Sequence, residues 1–103
     1  MEKLQTEAQF QDLKQKGKQV FLFSANWCPD CRVIEPFIPE LEAAYEDINF
    51  TYVDRDEFID LCIAHDIFGI PSFLAFKDGE EVSRFVSKDR KTREQIEDFL
   101  NQI

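Results

Sequence analysis

The apolar positions change period along the chain, and each change marks an element. Gln19 to Ser24 (QVFLFS) is a continuous apolar run too short for a helix, as expected of a strand buried on both faces. From Cys28 onward, Val33, Ile34, Phe37, Ile38, Leu41 and Tyr45 recur at helical spacing. This predicts a helix with Cys28 at or near its N-terminus and Pro29 in the favoured first-turn position. Pro36 and Pro39 fall inside the pattern and should kink it, because each removes a backbone donor. Asn49 to Asp54 (NFTYVD) alternates as a strand, and Phe58, Leu61, Cys62 and His65 then mark one face of a short helix that Gly69 should end. Ser72 to Lys77 (SFLAFK) and Val82 to Ser87 (VSRFVS) flank Asp78-Gly79-Glu80, a hairpin turn signal.

Capping-box patterns frame both ends. Thr6-Glu7-Ala8-Gln9, with Ala8, Phe10 and Leu13 behind it, predicts a first helix ending at Gly17, with Leu4 in a short edge strand ahead of it. Thr92-Arg93-Glu94-Gln95 precedes Ile96, Phe99, Leu100 and Ile103 at i, i+3, i+4 and i+7, the signature of a last helix. The order is strand, helix, strand, helix, strand, helix, strand, strand, helix. Such an order implies an α/β fold, a mixed sheet with helices on both faces. No repeat, low-complexity segment or linker interrupts it, so residues 1–103 are expected to form one domain.

Composition narrows the functional classes. At 103 residues and 44% hydrophobic content, the chain should bury about two-thirds of its unfolded surface and needs no staple to fold. Its formal charge of -9 opposes binding to nucleic acid or to anionic membranes. Partners are therefore expected to be proteins or small molecules, and the chain itself a monomer. The opening residues hold no apolar stretch suited to a signal segment, and no window approaches a membrane span, so a cytoplasmic location is expected. In that compartment the three Cys are better read as chemistry or buried thiols than as a disulfide framework.

Two of those Cys stand in Ser24 to Pro36 (SANWCPDCRVIEP), between the apolar run and the helical pattern. A zinc site would need four ligands, and beyond Cys28 and Cys31 only Cys62 and His65 are on offer, without a second Cys-x-x-Cys. Redox exchange fits better. A thiol at a helix N-terminus meets unpaired N–H groups and the positive end of the helix dipole, which favour the attacking thiolate. Cys28 is then the nucleophile, and Cys31, one turn later, can attack the mixed disulfide and release the partner reduced.

Trp27-Cys28-Pro29-Asp30-Cys31 (W-C-P-D-C), Pro36 five residues on, Gly69-Ile70-Pro71-Ser72 and Phe76-Lys77-Asp78-Gly79-Glu80 together resemble the thioredoxin family over essentially the whole chain. The resemblance implies a thioredoxin fold and a protein-disulfide reductase. It implies a cis Pro71 facing Cys28, with Ile70 offering backbone groups to an extended client. It also implies that no cofactor is bound and that electrons come from NADPH through a thioredoxin reductase-like flavoprotein. The clients would be disulfide-containing proteins or small disulfides.

This chain departs from the family at several positions. The buried Asp that usually relays a proton to the second Cys aligns with Leu22, and its companion Lys with Tyr52. Water, assisted by Asp30, is then the expected route for deprotonating Cys31. Pro29-Asp30 replaces the usual Gly-Pro centre, and the Asp30 charge should stabilise the helix end while disfavouring the Cys28 thiolate. Ser87 stands where the family has a Gly beside the cis-Pro loop. Trp27 is expected as an exposed client platform, Cys62 as a buried inert thiol, and His65 as a structural residue. The competing reading is a binding module that uses the groove with little redox turnover.

Overall fold

The computed structural model describes all 103 residues. Its elements are β1 (Glu2–Lys3), α1 (Glu7–Leu13), β2 (Lys18–Ser24), α2 (Pro29–Ile34), α3 (Ile38–Ala44), β3 (Ile48–Asp54), α4 (Ile59–Ala64), β4 (Ser72–Lys77), β5 (Glu80–Phe85) and α5 (Arg93–Leu100). The five strands lie in the order β1-β3-β2-β4-β5. β1, β3 and β2 run parallel, while β4 and β5 are antiparallel additions beside β2.

β2 is the sheet's centre because its side chains feed both cores. Val20 and Leu22 join Ile34, Ile38, Leu41, Phe73 and Phe99 under α2, α3 and α5. Phe21 and Phe23 join Phe10, Leu61, Cys62 and Phe76 under α1 and α4 on the other face. Alternation along one strand thus divides a continuous apolar run between two clusters. Burying each large side chain contributes about 1.5–3 kcal/mol, so neither face is dispensable.

The helix after Cys28 is broken rather than bent. α2 passes through a 3-10 turn at Glu35–Phe37 into α3, with Ile38 N–H donating to Glu35 C=O. Pro36 and Pro39 supply no amide hydrogen at the junction, so the ladder cannot continue. Val33 is 45% exposed and does not join the core, contrary to its place in the helical pattern.

Boundaries shifted where local chemistry competed. α1 ends at Leu13, four residues before Gly17, whose φ of +60° closes the following turn. Thr6 caps Gln9 N–H, but the Gln9 side chain accepts from Gln5 N–H instead of completing the box on Thr6. The Thr92–Gln95 box closes in both directions. α4 ends before Asp66, which takes a left-handed φ of 56°. There Asp66 N–H reaches Ile63 C=O and Ile67 N–H reaches Cys62 C=O, the paired bonds of a Schellman turn.

Gly69 therefore does not stop α4. A Cβ on it would stand 2.6 Å from the Lys88 Cα and N, so the glycine admits the close approach of the 86–91 loop. The hairpin turn is the two-residue Asp78-Gly79, both with positive φ, and β5 starts at Glu80. β5 lies two residues earlier than its apolar pattern suggested and carries a register shift opposite Ala75/Phe76. Val86 and Ser87 follow the end of β5, Val86 packing on the Phe10 cluster and Ser87 lying against Gly69.

Candidate active site

β2 ends at Ser24, and the buried Ala25 leads through Asn26 and Trp27 to Cys28, the N-cap of α2 with Pro29 at its first position. Proline's fixed φ suits that position, and its missing donor is one the helix start could not use. The Cys28 sulfur accepts from Cys31 N–H at 3.2 Å, an interaction that persists for a thiolate. Both Cys are free thiols and nearly fully buried. The Cys31 thiol is pushed up to about 12, first by burial and then by its bond to Cys28, while the Ser24 hydroxyl and Ala25 backbone pull it down.

The Ile70–Pro71 peptide bond is cis, and the Cys28 sulfur lies 3.9 Å from Ile70 C=O. Cys28, Cys31, Ala25 and Ile70 thus form one small cluster where the β2–α2 and α4–β4 connections meet. Trp27 is 60% exposed. Its indole N–H donates to Asp56 at 2.6 Å, and the Arg55 guanidinium sits 5.8 Å from its ring. Sequence reasoning placed Trp27 at the surface but missed Asp56 and Arg55, which hold the ring from the end of β3. Their signal was the charged Asp54-Arg55-Asp56 run that follows an alternating strand.

Asp30 is turned toward Arg90, with 2.8 Å between carboxylate and guanidinium. Besides burial, Cys28, Ser24 and the Ala25 backbone act most strongly on the Cys31 thiol. Lys91 was also missed: it is 1% exposed, and its ammonium donates to Ser87 C=O, Ser87 Oγ and Asp89 C=O. It also lies 5.0 Å from the Phe85 ring. Three acceptors and an aromatic face offset the cost of burying this charge, and burial still pushes its pKa down.

Cys62 and His65 belong elsewhere. Cys62 packs in the cluster under α1 and α4, and the His65 ring meets Phe10 edge-on at 5.1 Å. They do not converge with Cys28 and Cys31, and no three His, Cys, Asp or Glu side chains are grouped to hold a metal ion. Leu22 lies in the apolar core, and Tyr52 pairs with it across β2 and β3.

The family model named Thioredoxin matches residues 1–102. A "Thioredoxin H-type" from Fagopyrum esculentum is 38% identical over 78 residues, covering 75% of this chain and 67% of that protein. The X-ray structure of Fasciola hepatica thioredoxin superposes with a TM-score of 0.83 at 27% identity and covers 100% of both chains. Mitochondrial thioredoxin 3 from Saccharomyces cerevisiae, in its oxidized form, superposes at 0.84 with 25% identity, covering 98% of this chain and 94% of that one.

Proposed function

The chain belongs to the thioredoxin family, and from that premise we propose that this thiol–disulfide oxidoreductase works as a disulfide reductase, with Cys28 attacking and Cys31 resolving. The observation that carries the assignment of roles is the bond from Cys31 N–H to the Cys28 sulfur at the start of α2. It supports reading Cys28 as the attacking sulfur, while Cys31 lies deeper with its thiol raised by burial.

In the first step the Cys28 thiolate bonds to one client sulfur. The client S–S bond breaks, and its other sulfur leaves as a thiolate that takes a proton. In the second, the Cys31 thiolate attacks Cys28; the Cys28–Cys31 bond forms and the first client sulfur departs. The client gains two electrons and the Cys pair loses them.

Around this chemistry, Ile70 and Pro71 shape a groove for extended client backbone, with Trp27 as an apolar wall fixed by Asp56. Phe68, 75% exposed and two residues before Ile70, adds apolar surface at the rim. Pro29 sets the first turn. Asp30 has a redox-tuning role moderated by Arg90, because neutralising the carboxylate weakens its opposition to the thiolate. Clients are disulfide-containing proteins or small disulfides, and NADPH through a flavoprotein thioredoxin reductase restores the dithiol. A cytoplasmic setting suits a dithiol that must be kept reduced, and no helix is long and apolar enough to cross a membrane.

Insulin reduction driven by dithiothreitol, or by NADPH with a thioredoxin reductase, tests the activity. Turnover is expected; none with either electron source would leave only a binding module.

A further inference from the structure

Among buried side-chain nitrogen and oxygen atoms, only Ser24 Oγ and Tyr52 Oη have no hydrogen-bond partner. Other buried polar groups are provided for: Lys91 has its three acceptors, Gln19 donates to Lys16 C=O, and Ser72 donates to Gly69 C=O. Orphaned hydroxyls are costly, so a coincident pair asks for a physical reason.

Their placement supplies one. Tyr52 pairs with Leu22 and Asp54 with Ser24 across the parallel strands. Leu22, Ser24 and Tyr52 therefore point to the same face of the sheet, the face covered by α2, which carries Cys31. Ser24, fully buried at the end of β2, acts on both Cys31 and Tyr52. In the dithiol state neither contact closes into a full hydrogen bond.

We propose that Ser24 and Tyr52 form a hydroxyl chain that takes the proton from Cys31 and then holds its thiolate, at the place Leu22 leaves without a carboxylate. The proposal rests on Cys31 being the resolving thiol. The Cys31 proton passes to Ser24 Oγ as the Ser24 proton passes to Tyr52 Oη. Tyr52, whose own oxygen is buried, in turn passes its former proton to the Glu35 or Asp54 carboxylate, whose charges reach it and which exchange protons with water. Afterwards both hydroxyls point toward the sulfur, Ser24 donating to the thiolate and Tyr52 to Ser24. Groups unpaired in the resting dithiol thus become paired in the reactive anion, and an interaction made only there speeds the step.

The other charges facing this region are Cys28 at the start of α2, Lys91 ahead of α5, and Asp30, paired with Arg90. In this proposal Ser24 is the group that meets the reacting thiol, whereas Tyr52 acts through Ser24 and is a positioning residue.

Single-turnover reduction of 5,5′-dithiobis(2-nitrobenzoate) separates the steps, because the first thionitrobenzoate reports attack by Cys28 and the second reports resolution by Cys31. In Ser24→Ala and Tyr52→Phe the second release is expected to slow about tenfold at pH 7, with its alkaline limb moved up by about one pH unit. The first release stays unchanged. Adding Tyr52→Phe to Ser24→Ala should slow it little further, since the chain is already cut, and Ser24→Thr should restore the wild-type profile. A purely structural role predicts altered unfolding stability with an unmoved pH profile. Second-phase rates and pH profiles within twofold of wild type overturn the proposal. A wild-type protein that releases no second thionitrobenzoate overturns the resolving role beneath it instead.

Discussion

Cys31 and Cys62 are almost equally hidden, at 0% and 1% exposure, and burial is the first cause raising both thiols. Their surroundings differ. Cys62 stands among Phe10, Phe58, Leu61 and Ile67, at the end of a short helix closed by a Schellman turn. Cys31 stands one turn below an N-capping thiol, beside the end of β2, with two unpaired hydroxyls and a buried ammonium nearby. Burial alone therefore does not separate a reactive thiol from an inert one. What separates them is whether a second sulfur lies within reach and whether polar groups wait for the charge that forms.

The sharpest way to break this contrast is to remove each thiol. Cys31→Ser should lower steady-state insulin reduction more than about a thousandfold, as expected when a member of a covalent relay is lost. Cys62→Ser should leave turnover within about twofold, because its sulfur meets no client, while its unsatisfied hydroxyl lowers stability by about 1–3 kcal/mol in urea unfolding.

A second contrast lies in alkaline stability. A thiol raised in the folded state keeps its proton while the unfolded chain loses its own, so stability falls as pH rises above the ordinary thiol value of 9. For Cys31 the decline continues to about 12, at up to about 1.4 kcal/mol per pH unit. Removing Cys31 should flatten that arm more than removing Cys62, as measured by urea unfolding of the reduced protein between pH 8 and 10.

Lys91 sharpens the comparison from the electrostatic side. Lys91→Met removes a cation whose charge acts on Cys28 and Cys31. Alkylation of the Cys28–Cys31 pair by iodoacetamide at fixed pH should then slow. Cys62, on the far face, should keep its rate of labelling in denaturant-opened protein.

The smallest effect belongs to the far face. His65 has a lowered pKa, first through burial and then through the Lys14 charge. The unfolded chain therefore binds its proton first, and this contribution to stability fades as pH falls through about 6.5. His65→Phe should lessen acid sensitivity between pH 7 and 5 by well under 1.4 kcal/mol, as followed by thermal unfolding.

The same comparison shows how far sequence reaches. β4 coincides with its pattern and β2 differs by one residue, because uninterrupted apolar runs admit few alternatives. Cys28, Cys31 and the Ile70–Pro71 corner were legible because local motifs carry them. The end of α4 was misread because a non-glycine residue, Asp66, adopted the left-handed turn, while Gly69 served a contact with Ser87 and Lys88. β5 was displaced because the Asp78-Gly79 turn is two residues long and the strand carries an irregularity. Ser24 and Tyr52 could not be recognised as neighbours of one thiol without the β2–β3 register, and Arg90 reaches Asp30 from 60 residues away. The reactive sulfurs are written locally, whereas the groups that handle their protons are assembled by the fold.

The central claim is that Cys28 attacks, Cys31 resolves and Cys62 takes no part. Its most direct test is to incubate reduced Cys31→Ser protein with a disulfide-bonded client and map the trapped adduct by peptide mass spectrometry under nonreducing conditions. A single mixed disulfide at Cys28 is expected. No adduct, or one carried by Cys62, would contradict the account.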